Sequence, residues 1–467
     1  MKNNILENIV TNKRRELVLR KKIQPLEKLT ANLKMSNKNF YQALANKESD
    51  FIFECKKASP SKGLINPTYD LDKILSIYKN YASAISVLTD NKYFKGSFAH
   101  LKKVTSSVEQ PVICKDFFIE PYQVYEARYF GADAILLMLS VLSDQEYRDL
   151  AEVANKLNMG ILTEVHDSIE MQRAINLKAK IIGINNRNLK DLSIDLNTTE
   201  NLIAEVPNEV KKDRLFISES GIESHQQVKR LAPMVNGFLI GSSIMAKKNT
   251  AQQCKSLIYG NIKICGLTNK NAAIAAEQNG AIYGGLIFYP KSPRFVSEKQ
   301  AKEIANAAKL TFVAVFVNED LNSIVETVTN LKIKIIQLHG EETDEYIHQL
   351  KQQIPNCIIW KAIKVKQDLS DSDQLLLNSP HIDRFLLDTY DQQQVGGSGK
   401  TFNWSVFDKF DKLDKSKIVL AGGLKIENLL DAKNLNTFAL DINSGVETSP
   451  GKKSPEKIAE VFKLLHA

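Results

Sequence analysis

Sixteen short apolar runs, none longer than seven residues, recur through this chain, and segments of helical period separate them. Eight fall at 51–56, 84–89, 111–115, 132–138, 160–165, 181–186, 215–219 and 237–241. They are rich in Ile, Val, Leu and Phe, and apolar nearly throughout rather than at every second position. Strands covered on both faces read that way, and strand–helix alternation predicts a parallel sheet. Eight such units within roughly 200 residues predict a closed (β/α)8 barrel. The other eight runs, at 262–265, 282–288, 312–317, 335–338, 358–362, 385–388, 418–421 and 438–441, predict a second barrel. The fold class is therefore α/β: two (β/α)8 TIM barrels in tandem, the first preceded by extra helices over residues 1–48.

The seam lies within residues 237–267. One apolar run ends at Gly241-Ser242-Ser243, a polar, helical-looking connection follows, and a new β-like run starts at Ile262. The expected domains are 1–256 and 257–467, each close to the roughly 250 residues of one such barrel. The halves share no clear sequence identity, so the repetition is one of architecture.

Composition narrows the classes of function. Apolar residues make up 43% and charged residues 25% of the chain, which suits a globular protein with real cores. No run approaches the roughly 18 apolar residues of a membrane span, and the first residues lack the apolar core of a secretory signal, so no membrane partner is expected. The five cysteines are scattered, with no C-x-x-C pair, which argues against a disulfide framework or a zinc site and fits a reducing cytoplasm. Net charge is +8, and within residues 1–35 nine Lys or Arg stand against three Glu. A nucleic-acid arm would be basic in this way. A solvated basic face on a leading helix is favoured, because Ile5, Ile9 and Leu17 have helical spacing and no aromatic residue there could stack on a base.

Barrels of this type place their chemistry at the C-terminal ends of the strands. In the first half those ends carry Glu54 and Lys56, Lys115-Asp116, Glu164, Asn185 and Arg187, Glu219-Ser220-Gly221, and Gly241-Ser242. One ionisable residue at a strand end most often caps or pairs; six polar strand ends converging on one mouth exceed what structure requires. Three carboxylates and two lysines in one site perturb each other's proton affinities, as acid–base work requires. Gly221, Gly241 and Ser242 follow strands seven and eight, where a phosphate commonly sits on backbone N–H groups; tight turns are the bland alternative. The second half repeats the pattern in Gly422 and Gly423 after its seventh strand and Ser444 and Gly445 after its eighth, which favours phosphate in both. Cys265 ends its first strand. A lone cysteine is usually a small buried hydrophobe, but at this rim a stabilised thiolate could act as a base. Asp388 ends its sixth strand, His339 its fourth, and Arg294 suits a planar carboxylate. The glycine-dense stretch 395–401 reads as a lid rather than a linker, since it follows the strand carrying Asp388.

At these residues the chain resembles known families. Phe53-Glu54-Cys55-Lys56-Lys57-Ala58-Ser59-Pro60-Ser61, V-I-C-K-D-F (112–117), I-L-T-E-V (161–165), G-I-N-N-R (183–187), I-S-E-S-G-I (217–222) and F-L-I-G-S-S (238–243) resemble indole-3-glycerol phosphate synthase. K-I-C-G-L-T (263–268), F-Y-P-K-S-P-R-F-V (288–296), Q-L-H-G (337–340), L-L-D-T (386–389) with G-G-S-G-K-T-F-x-W (396–404), L-A-G-G-L (420–424) and D-I-N-S-G-V-E (441–447) resemble phosphoribosylanthranilate isomerase. Their order is that of the fused bacterial tryptophan-pathway enzyme. One departure is Ser454, which follows Gly451-Lys452-Lys453 where such isomerases usually carry an acidic residue.

The resemblance implies two consecutive reactions. The isomerase half would open the ribose of N-(5-phosphoribosyl)anthranilate and rearrange it to the carboxyphenylamino-deoxyribulose phosphate, with Asp388 as general acid, Cys265 as general base and Arg294 on the anthranilate carboxylate. The synthase half would close the indole ring with loss of carbon dioxide and then water. Lys115 would be the general acid, Glu164 and Glu54 would handle protons with Asn185, and Lys56 and Arg187 would position anionic groups. Glu219 and Ser220 would complete the wall, and Ser59 and His339 would also face substrate. No metal, nicotinamide or pyridoxal cofactor is implied. Phosphorylated anthranilate derivatives are the expected partners, without nucleic acid, on a monomer. Three rivals remain: a Schiff base on Lys115 or Lys56, a glycosidase pair of Glu164 and Glu219, and one barrel serving only as a scaffold.

Overall fold

A computed structural model of the chain describes residues 5–188, 191–365, 375–389 and 414–466. It divides into two compact units, Met1–Leu257 and Ile258–His466.

In the first unit, strands β1 (Asp50–Cys55), β2 (Ala84–Leu88), β3 (Val112–Lys115), β4 (Ala134–Met138), β5 (Gly160–Val165), β6 (Ile181–Asn185), β7 (Leu215–Glu219) and β8 (Gly237–Ile240) form a closed barrel. All neighbours are parallel, and β1 closes the ring by pairing both β8 (Phe51 beside Phe238) and β2 (Glu54 beside Ser86). All six residues of β1 are buried, which explains the continuous apolar run: one face fills the barrel and the other meets the helices. Alternate residues Ala134, Leu136 and Met138 join Ile52, Ile113, Leu162 and Leu239 in one inner cluster. Phe40 and Leu44, from the segment before β1, complete it. Gly160 makes room for this packing, since a Cβ there would sit 2.5 Å from the Phe40 Cβ.

The leading segment is helical, as expected: α1 (Ile5–Ile23), α2 (Leu26–Thr30) and α3 (Phe40–Ala43). The expectation of a wholly solvated basic face needs correction at one residue. Lys13 is fully buried, with Nζ 2.7 Å from Asp116 Oδ1 and 2.9 Å from Asp90 Oδ2. Burial opposes its charge, but the two carboxylates outweigh burial and raise its proton affinity. Arg20, one helical face along, meets Glu126 at 3.1 Å. These contacts pin α1 to the barrel by charge as well as by Ile9 and Leu17, which are buried.

The second unit repeats the architecture with β9 (Asn261–Ile264), β10 (Tyr283–Ile287), β11 (Thr311–Phe316), β12 (Ile335–Leu338), β13 (Ile358–Val365), β14 (Arg384–Thr389), β15 (Ile418–Leu420) and β16 (Ala439–Ile442), closed by β9 against β16. Val313 and Val315 of β11 lie in the inner cluster with Ile335, Trp360, Leu386 and Val419. Ala314 and Phe316, on the other face, pack in the outer cluster with Ile324 and Val328 of the helix Leu321–Leu331. The departure at Ser454 has a local explanation: its side chain accepts from Lys457 N–H and caps the last helix, Pro455–Leu465, as an N-cap serine does. The glycine-dense stretch 395–401 lies outside the described residues. No helix among the described residues is long and apolar enough to cross a membrane.

Substituting Lys13→Met leaves Asp90 buried without its counter-ion and Asp116 with only Arg20, 3.9 Å away. The expected cost is about 3 kcal/mol in urea unfolding of the N-terminal unit, a loss typical of a broken buried pair; an unchanged transition would contradict the pinning role.

Candidate active sites

The C-terminal ends of β1, β3, β5, β6 and β7 deliver Glu54, Lys115, Glu164, Asn185 and Glu219 to one mouth, because every strand of a parallel barrel points the same way. Glu54, Lys115, Glu164 and Asn185 line one cavity with Lys56, Ser59, Arg187, Ser220 and Ser242, and Glu219 stands behind Lys115. Lys115 Nζ lies 3.1 Å from Glu54 Oε2 and 3.1 Å from Glu219 Oε2. Lys56 Nζ is 2.5 Å from Glu54 Oε1 and 3.4 Å from Ser242 Oγ. Asn185 Nδ2 donates to Glu164 Oε1 at 3.1 Å, and its own Oδ1 accepts from the Arg187 N–H. Ser59 Oγ accepts from Lys62 N–H, which tightens the loop after β1.

The same burial gives the three carboxylates three different proton affinities. Burial opposes the ionisation of Glu54, but Lys115 and Lys56 outweigh it and hold its pKa at about 2. Burial dominates at Glu219; the Lys115 ammonium resists it, and the nearby Glu164 charge adds to it, so the pKa rises to about 7. Burial also opposes ionisation of Glu164, yet His166, Lys115 and Asn185 leave its pKa below the usual value. Burial works against the Lys115 charge too, but Glu54, Glu219 and Glu164 raise its proton affinity. The site thus holds a permanent anion, a permanent cation and a carboxyl poised near neutrality.

Gly221, Gly241, Ser242 and Ser220 line an adjoining recess with Lys56, Lys62 and Arg187. Ser220 and Gly221 both take left-handed backbone, with φ of 66° and 84°. Gly241 must lack a side chain, since a Cβ would come within 2.5 Å of Glu54 Oε1. Lys56, Lys62, Lys115 and Arg187 outnumber the carboxylates Glu54 and Glu223 in this recess, and cations around left-handed turns suit a phosphate.

Sequence reasoning did not single out two features of this site. One is the apolar wall that α1 supplies through Ile5, Leu6 and Ile9, joined by Phe94, Phe117, Leu136 and Met138; the helical spacing of Ile5 and Ile9 was its only trace. The other is His166, two residues beyond Glu164 and 3.2 Å from its Oε1. Asp116 lines the cavity, but its carboxylate is taken by Lys13 and by Thr89 Oγ1 at 2.9 Å.

The second unit gathers Cys265, Arg294, His339, Asp388, Gly422, Gly423 and Ser444 around one cavity. Gly445 lies behind the lining, in the turn Ser444–Val446, where it packs against the Leu424 backbone. Gly422 and Gly423 have φ of 82° and 64°, a left-handed pair that turns the chain sharply after β15. His339 Nε2 is 3.2 Å from Asp388 Oδ2, while its Nδ1 is 3.0 Å from Gln337 Nε2.

Cys265 is buried, and burial raises its thiol pKa; Asp441 adds to the rise, while Lys263 and Lys453 oppose it. The thiol is therefore protonated in the empty site, with two ammonium groups nearby to receive a thiolate. Arg294 is committed further than its sequence suggested. Its Nε and Nη2 donate to Glu447 Oε1 and Oε2 at 2.9 and 2.8 Å, a bidentate pair in which both residues are buried. Lys453 Nζ reaches the same carboxylate at 2.8 Å, and burial lowers its pKa to about 8 against the pull of Glu447. Glu447, Lys453, Lys263 and Asp441, with Lys263 Nζ 2.7 Å from Asp441 Oδ2, were not singled out from sequence. Their signal was weak: charged residues inside strands or past the last one, where a solvated position is the usual reading.

Comparison with known proteins agrees with this division. Residues 6–257 match the family model described as indole-3-glycerol phosphate synthase, and residues 262–464 match that of N-(5'-phosphoribosyl)anthranilate (PRA) isomerase. The chain is 48% identical over 462 residues to the tryptophan biosynthesis protein TrpCF of Vibrio cholerae, covering 99% of this chain and 96% of the relative. It is 49% identical over 462 residues to that of Vibrio parahaemolyticus, covering 99% and 94%. To the protein of that description from Buchnera aphidicola subsp. Schizaphis graminum it is 47% identical over 466 residues, covering 100% of both. Two complete mouths on two barrels, each matching its own family, make this chain a member of the bifunctional tryptophan-biosynthesis family in which an indole-3-glycerol phosphate synthase is fused to a phosphoribosylanthranilate isomerase.

Proposed function

We propose the following division of labour among the residues of the two sites. In the C-terminal unit, Asp388 gives its proton to the ring oxygen of N-(5-phosphoribosyl)anthranilate. The C1′–O bond breaks, and an open-chain iminium forms. Cys265 then takes the C2′ proton, and the enol tautomerises to 1-(2-carboxyphenylamino)-1-deoxyribulose 5-phosphate. The iminium carries positive charge next to the thiol, so the thiolate becomes favourable when it is needed, with Lys263 and Lys453 behind it. His339 holds Asp388, Arg294 faces the anthranilate carboxylate with the donors Glu447 leaves it, and the phosphate sits against Gly422, Gly423, Ser444 and Gly445.

In the N-terminal unit that product is cyclised. Lys115 donates a proton to the C2′ carbonyl oxygen as the aromatic carbon attacks C2′. Carbon dioxide leaves, and loss of the hydroxyl as water gives indole-3-glycerol phosphate. Glu164, oriented by Asn185, and Glu54 handle the protons of closure and dehydration, while Glu219, poised near neutrality, can give or take one without leaving the site. Lys56 and Arg187 meet anionic groups, Ser59 and Ser220 complete the wall, and Gly221, Gly241 and Ser242 cradle the phosphate. Every step is a proton transfer or a bond exchange within the substrate, with no net electron gained or lost. The enzyme acts in the cytoplasm as a monomer, without nucleic-acid partners.

The observation that carries this reading is Lys115, an ammonium held between Glu54 and Glu219 at the mouth of a cavity with an apolar wall. The rival Schiff-base role needs a neutral lysine, and these carboxylates favour the charged form.

The test follows both products from phosphoribosylanthranilate. Lys115→Ala should lower indole-ring formation at least roughly 10²-fold and leave isomerisation intact. Cys265→Ala should do the reverse. A single change that silenced both steps would contradict two separate sites. Gly285→Ala offers a subtler check, because its Cβ would stand 2.6 Å from Cys265 Sγ. It should cut isomerase kcat at least roughly tenfold by displacing the thiol while synthase activity is kept. Unchanged isomerase kcat would place the base elsewhere. Glu447→Gln should raise the isomerase KM more than it lowers kcat, since it loosens Arg294 on the substrate carboxylate; a pure kcat effect would contradict that role.

A further inference from the structure

His166 sits in the turn between β5 and the helix Ser168–Asn176, and no step above uses it. Its two ring nitrogens face two carboxylates. Nε2 lies 3.2 Å from Glu164 Oε1, and Nδ1 lies 3.1 Å from Glu170 Oε2. Glu170 Oε2 also accepts the backbone N–H of His166 at 2.8 Å. Glu170 thus holds both the backbone and the ring of His166, and Nε2 is left within ion-pair distance of Glu164, short of hydrogen-bond geometry. The three side chains are 2%, 13% and 12% exposed, so water screens the contacts little. A carboxylate within ion-pair distance of each ring nitrogen favours the doubly protonated imidazolium. Burial disfavours that charge, but Glu164 and Glu170 outweigh burial and hold the ring's pKa at about 10.

We infer that His166 is a positioning residue of the synthase reaction: clamped by Glu170 as an imidazolium, it orients Glu164 and keeps that carboxylate ionised and ready to take a proton. The inference rests on the reading of Glu164 as a proton carrier. Other groups face Glu164 as well. Asn185 Nδ2 donates to the same oxygen at 3.1 Å, the Glu219 carboxylate repels it, and Lys115 attracts it. Asn185 is neutral and Lys115 is in direct contact with Glu54 and Glu219 instead, so His166 is the cation in contact with Glu164. Without it, Glu164 would share a buried mouth with Glu54 and Glu219 and would bind a proton more readily.

The sign of the effect follows. Removing a cation raises the pKa of a carboxylate beside it, so a base that must be ionised fails at a higher pH. Because Glu164 and Glu219 interact, the acid limb of the synthase pH profile belongs to the pair. His166→Gln removes the charge and leaves an amide of similar reach. Synthase kcat/KM against pH should then keep its alkaline plateau within a few-fold, while the acid limb moves up by about one pH unit, close to a tenfold loss on that limb. Glu170→Gln should move it the same way by less. Isomerase activity in the same samples should not change.

A uniform loss at every pH, or an acid limb that stays in place, overturns the inference. Glu164→Gln is run alongside: if it keeps synthase activity, the assignment of Glu164 falls and takes this inference with it. If it is inactive and His166→Gln leaves the limb unmoved, only the inference falls. A second measurement covers a His166→Gln protein that does not fold. NMR titration of histidine-labelled wild-type enzyme, with His166 assigned by selective line broadening or by the Glu170→Gln shift, should show that ring still protonated at pH 8. A ring that titrates near 6.5, the ordinary value, overturns the clamp.

Discussion

At the first barrel's mouth, one ammonium group is held between two carboxylates that water barely reaches. Lys115 lies 3.1 Å from both Glu54 and Glu219, and each of these carboxylates is almost fully buried. Taken singly, such charges are too costly to keep in an apolar interior. Together they set each other's state: Lys115 is held charged, the lysines hold the pKa of Glu54 at about 2 against burial, and burial lifts that of Glu219 to about 7 despite Lys115. Lys56 adds a second cation to Glu54, and His166 supplies the one that faces Glu164. The barrel makes this arrangement possible. Parallel strands bring residues distant in sequence to one rim, and the closed ring fixes their spacing.

The second barrel meets the same constraint with different groups. Its buried charges are arranged as Lys263 with Asp441 and as Arg294 with Glu447 and Lys453. The two lysines leave positive potential around Cys265 without ionising it in the empty site. In the proposed isomerisation, the substrate's iminium would supply the remaining charge a thiolate needs. On the proposed roles, one fold carries two forms of acid–base control: a carboxyl–ammonium network set before substrate arrives, and a thiol that would respond to the substrate's charge.

Much of this was legible from sequence because barrel strands leave strong marks. A strand buried on both faces is a short continuous apolar run, and all sixteen runs coincide with strands to within a few residues. The polar residues that end those runs were equally plain: Glu54, Lys115, Glu164 and Asn185 meet in one cavity with Glu219 against Lys115, and Cys265, His339 and Asp388 meet in another. Partnerships across long sequence separations were not legible. Arg294 is 153 residues from Glu447, and nothing in either neighbourhood announces the pair. Lys13 read as one basic residue in a basic helix, and only the packing of α1 on the barrel buries it against Asp90 and Asp116. His166 was hidden for another reason: a histidine in a turn after a strand is common, and its value depends on which way the ring points.

Two separate sites on one chain are proposed to catalyse consecutive steps. Mixing the Lys115→Ala and Cys265→Ala proteins with phosphoribosylanthranilate tests this most directly. Neither protein alone should yield indole-3-glycerol phosphate, and the mixture should form it after a lag while the aminodeoxyribulose phosphate builds up. A mixture in which neither folded protein performs its own step, so that no aminodeoxyribulose phosphate builds up, would contradict the account, because each step would then need both sites intact on one chain.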